Sequence, residues 1–179
     1  MDGRASRRGA GYTLQEALVA LAVGAFVTAG VVPTLADLVA GERVTAALND
    51  LLADLHAARA AAVQRRGQVV LCPSADGAAC LAEPHWERGW IVFVDTDRDR
   101  EHDAGEPLLS AHGRLAGLTL RSSLARRRIA YRPDGTSPGT NATLTACPAT
   151  DVPPRRIVLS NTGRPRIAEA APSACAGTA

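Results

Sequence analysis

Twenty consecutive residues, 17–36, carry no charge, and this run limits where the rest of the chain can go. As a helix rising about 1.5 Å per residue it covers roughly 30 Å, the hydrocarbon thickness of a bilayer. One carboxylate, Glu16, stands at its N-terminal edge, and Arg4, Arg7 and Arg8 precede it. Positive residues ahead of a span favour a cytoplasmic N-terminus. The simplest reading is an N-terminal anchor. An ordinary secretory signal is cut after its apolar core at a small-x-small site. Ala20-Leu21-Ala22 lies inside the run, too early for such a cut.

About 140 residues remain beyond the run, enough for one real core. Aromatic residues make up only 3% of the chain, so aliphatic residues and alanine must build that core. All 20 basic residues are arginine, so arginine count alone is not a sign of phosphate binding. Their placement says more. Residues 76–106 hold nine acids and three Arg; residues 114–166 hold ten Arg and two acids, Asp134 and Asp151. An acidic stretch followed by a basic one points to a polyanion partner for the basic part. The alternative is that the two neutralise each other in the fold. Cys72, Cys80, Cys147 and Cys175 read as disulfides in a domain outside the inner membrane. Three pairings are open, the local one joining Cys72 to Cys80 and Cys147 to Cys175. Zinc is the rival, but Cys-x7-Cys is not a usual ligand spacing and no His pair accompanies it.

Helical periodicity runs from Glu16 to about Arg66, with Pro33 expected to kink or loosen it. After Asp37 the helix turns amphipathic, with Val44, Leu48, Leu51, Leu52, Leu55 and Ala62 recurring at three and four residues. Gly67 is the expected stop. Strands are expected at 68–72, 90–94, 108–110, 118–122, 128–131, 143–147 and 156–160. Pro133-Asp134-Gly135 and Asn161-Thr162-Gly163 are turn signals between them. A long helix followed by many short antiparallel strands is an α+β fold. The parts are 1–11, an N-terminal leader; 12–36, the apolar half of the helix; 37–66, its amphipathic half; and 67–179, a β-rich head.

Gly11-Tyr12, with Glu16 after it and the apolar run following, resembles the leader of type IV prepilins. Tyr12 stands where that family usually has Phe. Later blocks narrow the resemblance: Leu71-Cys72-Pro73-Ser74, Trp86-Glu87-Arg88-Gly89-Trp90-Ile91-Val92-Phe93, Asp103-Ala104-Gly105-Glu106 and Ser160-Asn161-Thr162-Gly163-Arg164-Pro165-Arg166 resemble the FimT/GspH family of minor pilins and pseudopilins. The resemblance implies a type IV pilin-like fold, cleavage by prepilin peptidase after Gly11, and methylation of Tyr12. It implies that Glu16 pairs with a subunit's new amine during assembly. It also implies a single-pass inner-membrane protein with a periplasmic head, later incorporated among other pilin or pseudopilin subunits.

Two constellations could carry chemistry. Asp95, Asp97, Asp99 and Glu106 stand at positions 1, 3, 5 and 12 of a Ca²⁺-loop register. Arg100 occupies position 6, where the turn wants glycine, so a solvated hairpin loop is the favoured reading and no metal or cofactor is expected. The second is Gly163-Arg164-Pro165-Arg166. Two arginines two residues apart on an extended segment project to one side, and guanidinium groups suit phosphate oxygens. This resembles the Gly-Arg-x-Arg element of the FimT branch, which binds DNA in natural transformation. Arg155 and Arg156, with Arg126, Arg127 and Arg128, could widen the basic face. Binding would be to duplex backbone, indifferent to sequence and sensitive to salt. Two readings without DNA stand beside it: a GspH-like pseudopilin of type II secretion, and a structural or priming pilin. His56, His85, His102 and His112 are scattered, and no motif points to an enzyme.

Overall fold

The computed structural model describes residues 12–176, and within them the side chains of all but residues 27–34. The expected leader, 1–11, with its cleavage residue Gly11, lies outside the described residues.

Helix α1 (Leu14–Arg65) begins at a cap. The Glu16 N–H donates to Thr13 Oγ1 at 3.3 Å and the Ala17 N–H to the Thr13 carbonyl at 3.1 Å. Thr13-Leu14-Gln15-Glu16 is a capping sequence, and Glu16 sits in the first turn, where the helix dipole favours a carboxylate. The helix continues through Pro33 as one element. A proline forfeits one ladder bond, and a long helix carries on around it. At its end Arg66 takes a left-handed conformation (φ 51°). The Gly67 N–H reaches the Ala62 carbonyl at 3.2 Å and the Arg66 N–H the Val63 carbonyl at 3.4 Å, a Schellman ending. The left-handed residue is thus Arg66, one place before the expected Gly67.

The chain divides into two compact units, one ending at Ala36 and one from Asp37 onward. In the first, residues 12–26 are exposed, including Leu14, Leu21 and Phe26. Among the described residues no helix is long and apolar enough to cross a membrane. Residues 27–34, in the second half of the apolar run, lie outside the described side chains.

The second unit holds eight strands: β1 (Gln68–Pro73), β2 (Trp90–Asp95), β3 (Leu108–His112), β4 (Leu118–Arg121), β5 (Ile129–Tyr131), β6 (Ala142–Pro148), β7 (Arg155–Leu159) and β8 (Pro165–Glu169). They form two antiparallel sheets, ordered β3-β2-β1-β5 and β4-β6-β7-β8. The first seven fall within two residues of the expected runs. β8 has no strand signal of its own, because Pro165 argues against a strand interior; here it opens an edge strand, where proline is tolerated.

One stripe of α1 supplies the core: Val44, Leu48, Leu51, Leu55, Ala58 and Ala62, all buried, at alternating spacings of four and three. Val69, Leu71, Trp90 and Tyr131 of the first sheet and Leu120, Leu144, Ile157 and Leu159 of the second join the same cluster. Each fully buried leucine contributes about 1.5–3 kcal/mol. The first sheet has a second apolar cluster on its outer face, Val70, Cys72, Ile91, Phe93 and Ala130. Loops lie on it. One is closed by the Cys72–Cys80 disulfide, and its Asp76 Oδ1 accepts from the Ala78 and Ala79 N–H groups at 2.9 and 3.0 Å. The other brings the His102 ring to 5.1 Å from Phe93. Cys147 pairs with Cys175, so the disulfides take the local pairing.

Asp54 fastens α1 to the first sheet. Trp90 Nε1, fully buried, donates to Asp54 Oδ2 at 2.7 Å; Ser110 Oγ donates to Oδ1 at 3.1 Å; and His112 Nε2 lies 3.0 Å from Oδ2. The Trp90 and His112 rings stack at 4.6 Å. Asp54→Ala strands the indole N–H in the core and is expected to cost about 1–3 kcal/mol in urea denaturation. Unchanged stability would show that the latch is dispensable.

Candidate functional site

The second sheet alternates along most of its length, with Cys147, bridged to Cys175, buried on the other face. Leu118, Leu120, Ala142, Leu144, Ala146, Ile157 and Leu159 point to the core. The register therefore puts Thr143 and Thr145 of β6, Arg156 and Val158 of β7, and Arg166 and Ala168 of β8 on the outward face. Thr145 pairs with Arg156, and Val158 with Arg166. Arg164 is exposed one residue before β8 begins. None of these outward positions is an acid. Arg156, Arg164 and Arg166 are exposed, and their side chains make no ion pair among the described residues. Arg121 of β4 differs: Glu87 Oε1 lies 2.9 Å from its Nη2.

Arg155 does not join this group. One residue from Arg156, it faces the other way, pairs across strands with Glu169, and reaches Thr45 Oγ1 of α1 at 3.4 Å. The expected set thus splits: Arg156 and Arg166 share the outward face, Arg164 is exposed just before β8, and Arg155 is turned to the helix side.

Gly163 has a structural task. It is buried with φ +75°, and a Cβ there would collide with the Gly135 carbonyl oxygen and crowd the Tyr131 ring at 3.1 Å. The 160–163 turn, closed by Gly163 N–H to the Ser160 carbonyl at 2.9 Å, packs on the 132–135 turn. The Ser137 N–H donates to the Asn161 carbonyl at 2.9 Å. Gly163 therefore fixes where Arg164 starts. At the opposite end of the sheet the Cys147–Cys175 bridge ties the short 3-10 turn Pro172–Cys175 to β6.

The acidic loop is the β2–β3 hairpin, as expected. Carboxylate oxygens of Asp95, Asp97 and Asp99 lie within 4.8 Å of one another. The loop's own amides use them. Asp95 Oδ1 accepts from the Arg98 N–H at 2.7 Å, Asp97 Oδ1 from the Asp99 N–H at 3.2 Å, and Asp99 Oδ1 from the Glu101 N–H at 2.7 Å. Gln68 Nε2 holds Asp95 Oδ2 at 2.6 Å. Arg98 and Arg100 adopt φ 70° and 69°. Burial pushes the Asp95 carboxyl up, and the nearby Asp99 charge pushes Asp103 up. Hydrogen bonds from the Ala79 and Ala78 backbone hold Asp76 down, to about 2.

Ser110, Asp54 and His112 meet, but both Ser110 and His112 bind the carboxylate. No bond joins Ser110 to His112, so this is a structural latch and not a relay to a nucleophile. Glu16 and Tyr12 are exposed in the first unit. The capping role of Glu16 was available in the Thr-x-x-Glu spacing, which the leader resemblance overshadows.

A capped helix carrying two antiparallel sheets defines the pilin-like class. The family model described as type II transport protein GspH matches residues 47–163, well over half the chain. The chain belongs to the GspH family of minor pilins and pseudopilins, whose members assemble with other pilin subunits into a pilus or pseudopilus. The matched stretch ends at Gly163, one residue before Arg164. Among solved structures, the type IV minor pilin FimU of Pseudomonas aeruginosa (strain PAO1) aligns with TM-score 0.57 and 21% identity, over 71% of this chain and 89% of that one. A second crystal form of FimU gives 0.54 and 22%, over 69% and 91%. The minor pseudopilin EpsH of the Vibrio cholerae type 2 secretion system gives 0.48 and 13%, over 68% and 92%. No curated protein matches.

Two outcomes test the local geometry. Gly163→Ala should cost more than about 1 kcal/mol by thermal unfolding, since both φ and space oppose a Cβ. An unchanged midpoint would mean the two turns yield freely. Asp103 has a raised folded pKa, so the fold disfavours its charge, and the lost stability returns as pH falls through that pKa. Asp103→Asn should raise the thermal midpoint near pH ~7 and make no difference below about pH 3. An effect that persists in acid would have a cause other than charge.

Proposed function

We propose that this chain is a minor pilin that captures duplex DNA on the outward face of its second sheet. Arg156, Arg164 and Arg166 are the cationic contacts, and the Thr143 and Thr145 hydroxyls supply neutral donors beside them. The observation that carries this reading is the face itself: exposed Arg156 and Arg166, with exposed Arg164 just before β8, none in an ion pair among the described residues, and no carboxylate among the outward residues of β6, β7 and β8. Phosphates gain charge-assisted hydrogen bonds there, and no acid repels them. The face lacks aromatic residues and a recognition helix, so it does not stack or read bases. Affinity comes from released counterions and carries no sequence preference.

Before assembly, the leader resemblance has prepilin peptidase cut after Gly11 and methylate Tyr12. Residues 12–36 then hold the protein in the inner membrane with the head in the periplasm. Glu16, four residues from the new amine, pairs with such an amine of a neighbouring subunit during assembly. Its place in a capped first turn supports this, because the helix start holds it at a fixed distance along the chain from Tyr12.

The test uses the full-length chain in detergent with a fluorescent duplex, followed by anisotropy across salt. Three phosphate contacts predict a log–log slope near −2.7, with affinity falling as salt rises. Arg164→Gln/Arg166→Gln should weaken binding at low salt by about tenfold or more and flatten the slope by about two. Arg155→Gln, on the other side of the sheet, should bind like the parent. Equal binding by the double variant would sink the assignment. No binding by the parent would favour a secretion pseudopilin, the reading that the family description supports.

A further inference from the structure

The segment joining β4 to β5 passes from the second sheet to the first and carries Arg126, Arg127 and Arg128 in sequence. It faces the acidic hairpin loop across a polar cleft of about 260 Å³, lined by these three residues with Asp99, Arg100 and Glu101. The charges in this cleft do not balance. Arg128 is fully used: its Nη2 donates to both Glu101 oxygens at 2.6 and 2.7 Å, Nη1 to the Leu81 carbonyl at 2.7 Å, and Nε to the Arg100 carbonyl at 3.1 Å. That pairing also occupies Glu101. The Arg126 side chain makes one bond among the described residues, from Nη1 to the adjacent Ala125 carbonyl at 3.3 Å. The Arg127 side chain makes none among the described residues, although its Nε is buried. Arg100, Arg126 and Arg127 are left facing one remaining carboxylate, Asp99.

Guanidinium groups gathered in a concave polar cleft with too few carboxylates repel one another, and an oxyanion offsets that charge. We propose that this cleft binds a single phosphate-class oxyanion, held by Arg126 and Arg127 with Arg100 alongside. Its volume is below the roughly 300–1,000 Å³ of pockets that enclose drug-sized ligands, so it suits one tetrahedral group and not a whole nucleotide. Guanidinium forks match such a group with paired donors. Thr140, also in the cleft wall, contributes little, because its hydroxyl already bonds the Ala130 carbonyl at 3.1 Å and Ser137 Oγ at 2.6 Å. The site stands apart from the outward face of the second sheet and does not rest on the DNA reading. Its ligand is either a free phosphate or a phosphate within a polymer.

Isothermal titration of the full-length chain in detergent with inorganic phosphate tests this. Saturable binding is expected, weakened about tenfold or more in Arg126→Gln/Arg127→Gln and retained in Arg164→Gln/Arg166→Gln. Arg126→Gln alone disturbs only a bond to the neighbouring carbonyl, so it should weaken binding while leaving circular dichroism and the thermal midpoint unchanged. No saturable binding by the parent, undiminished binding by the Arg126 and Arg127 variants, or loss in the Arg164/Arg166 variant would overturn the proposal. Adding a short duplex then separates the sources. Competition identifies a backbone phosphate and its absence a free anion; both support the site.

Discussion

Everything in the second unit depends on one narrow stripe of helix. Val44 to Ala62 alternate at four and three residues, and both sheets bury their inner faces in the cluster built on that stripe. Alanines at 58 and 62 keep it thin, so strands can approach closely. With the inner faces committed, the character of each sheet is decided by its outer face. The first sheet is apolar there too and requires loops to cover it. The second is mostly polar there, with Thr143, Thr145, Arg156 and Arg166 facing outward. The exposed arginines are therefore a consequence of how the core is shared.

Polar bonds then fix how the parts meet. The two tryptophans are fully buried, and each indole N–H has an acceptor: Trp90 at Asp54 on the helix, Trp86 at Ser122 Oγ at 3.1 Å. A buried indole packs well only when its N–H is satisfied. The short Trp86–Arg88 turn also links the sheets. Its Glu87 takes the Arg121 guanidinium at 2.9 Å, and the Glu87 carbonyl accepts from the Leu115 N–H at 2.9 Å. In a chain so poor in aromatics, these few directional contacts give an aliphatic core its registry.

Much of this was legible in sequence, because period and burial agree. Residues 90–94 read as an unbroken apolar run since β2 is buried on both faces, while β6 and β7 alternate because only one face is. The helix stripe followed from its spacing. What escaped was decided by register or by tertiary contact. Arg155 and Arg156 are indistinguishable in sequence; pairing with β6 and β8 sends them to opposite faces, as a one-residue shift in parity always does. β8 escaped because its proline hides a strand that only an edge position allows. Gly163 was legible as a turn residue and as part of an arginine motif, but the close packing that leaves no room for a Cβ became visible only beside Gly135.

The charge asymmetry takes on a spatial meaning. Acidic and basic stretches do meet, at Arg128–Glu101 and Arg121–Glu87, so part of the imbalance is neutralised within the fold. Much of the remainder is spread over two places. The carboxylates of the first sheet's loop are bound by the loop's own amides, and guanidiniums without ion pairs among the described residues lie both on the outward face of the second sheet and beside that loop. The two groups of arginines differ in their surroundings. On the second sheet Arg156 and Arg166 are spread over neighbouring strands. At Arg126 and Arg127 the side chains line a confined cleft. Local strand register and loop packing, not arginine itself, set the spacing of the charge.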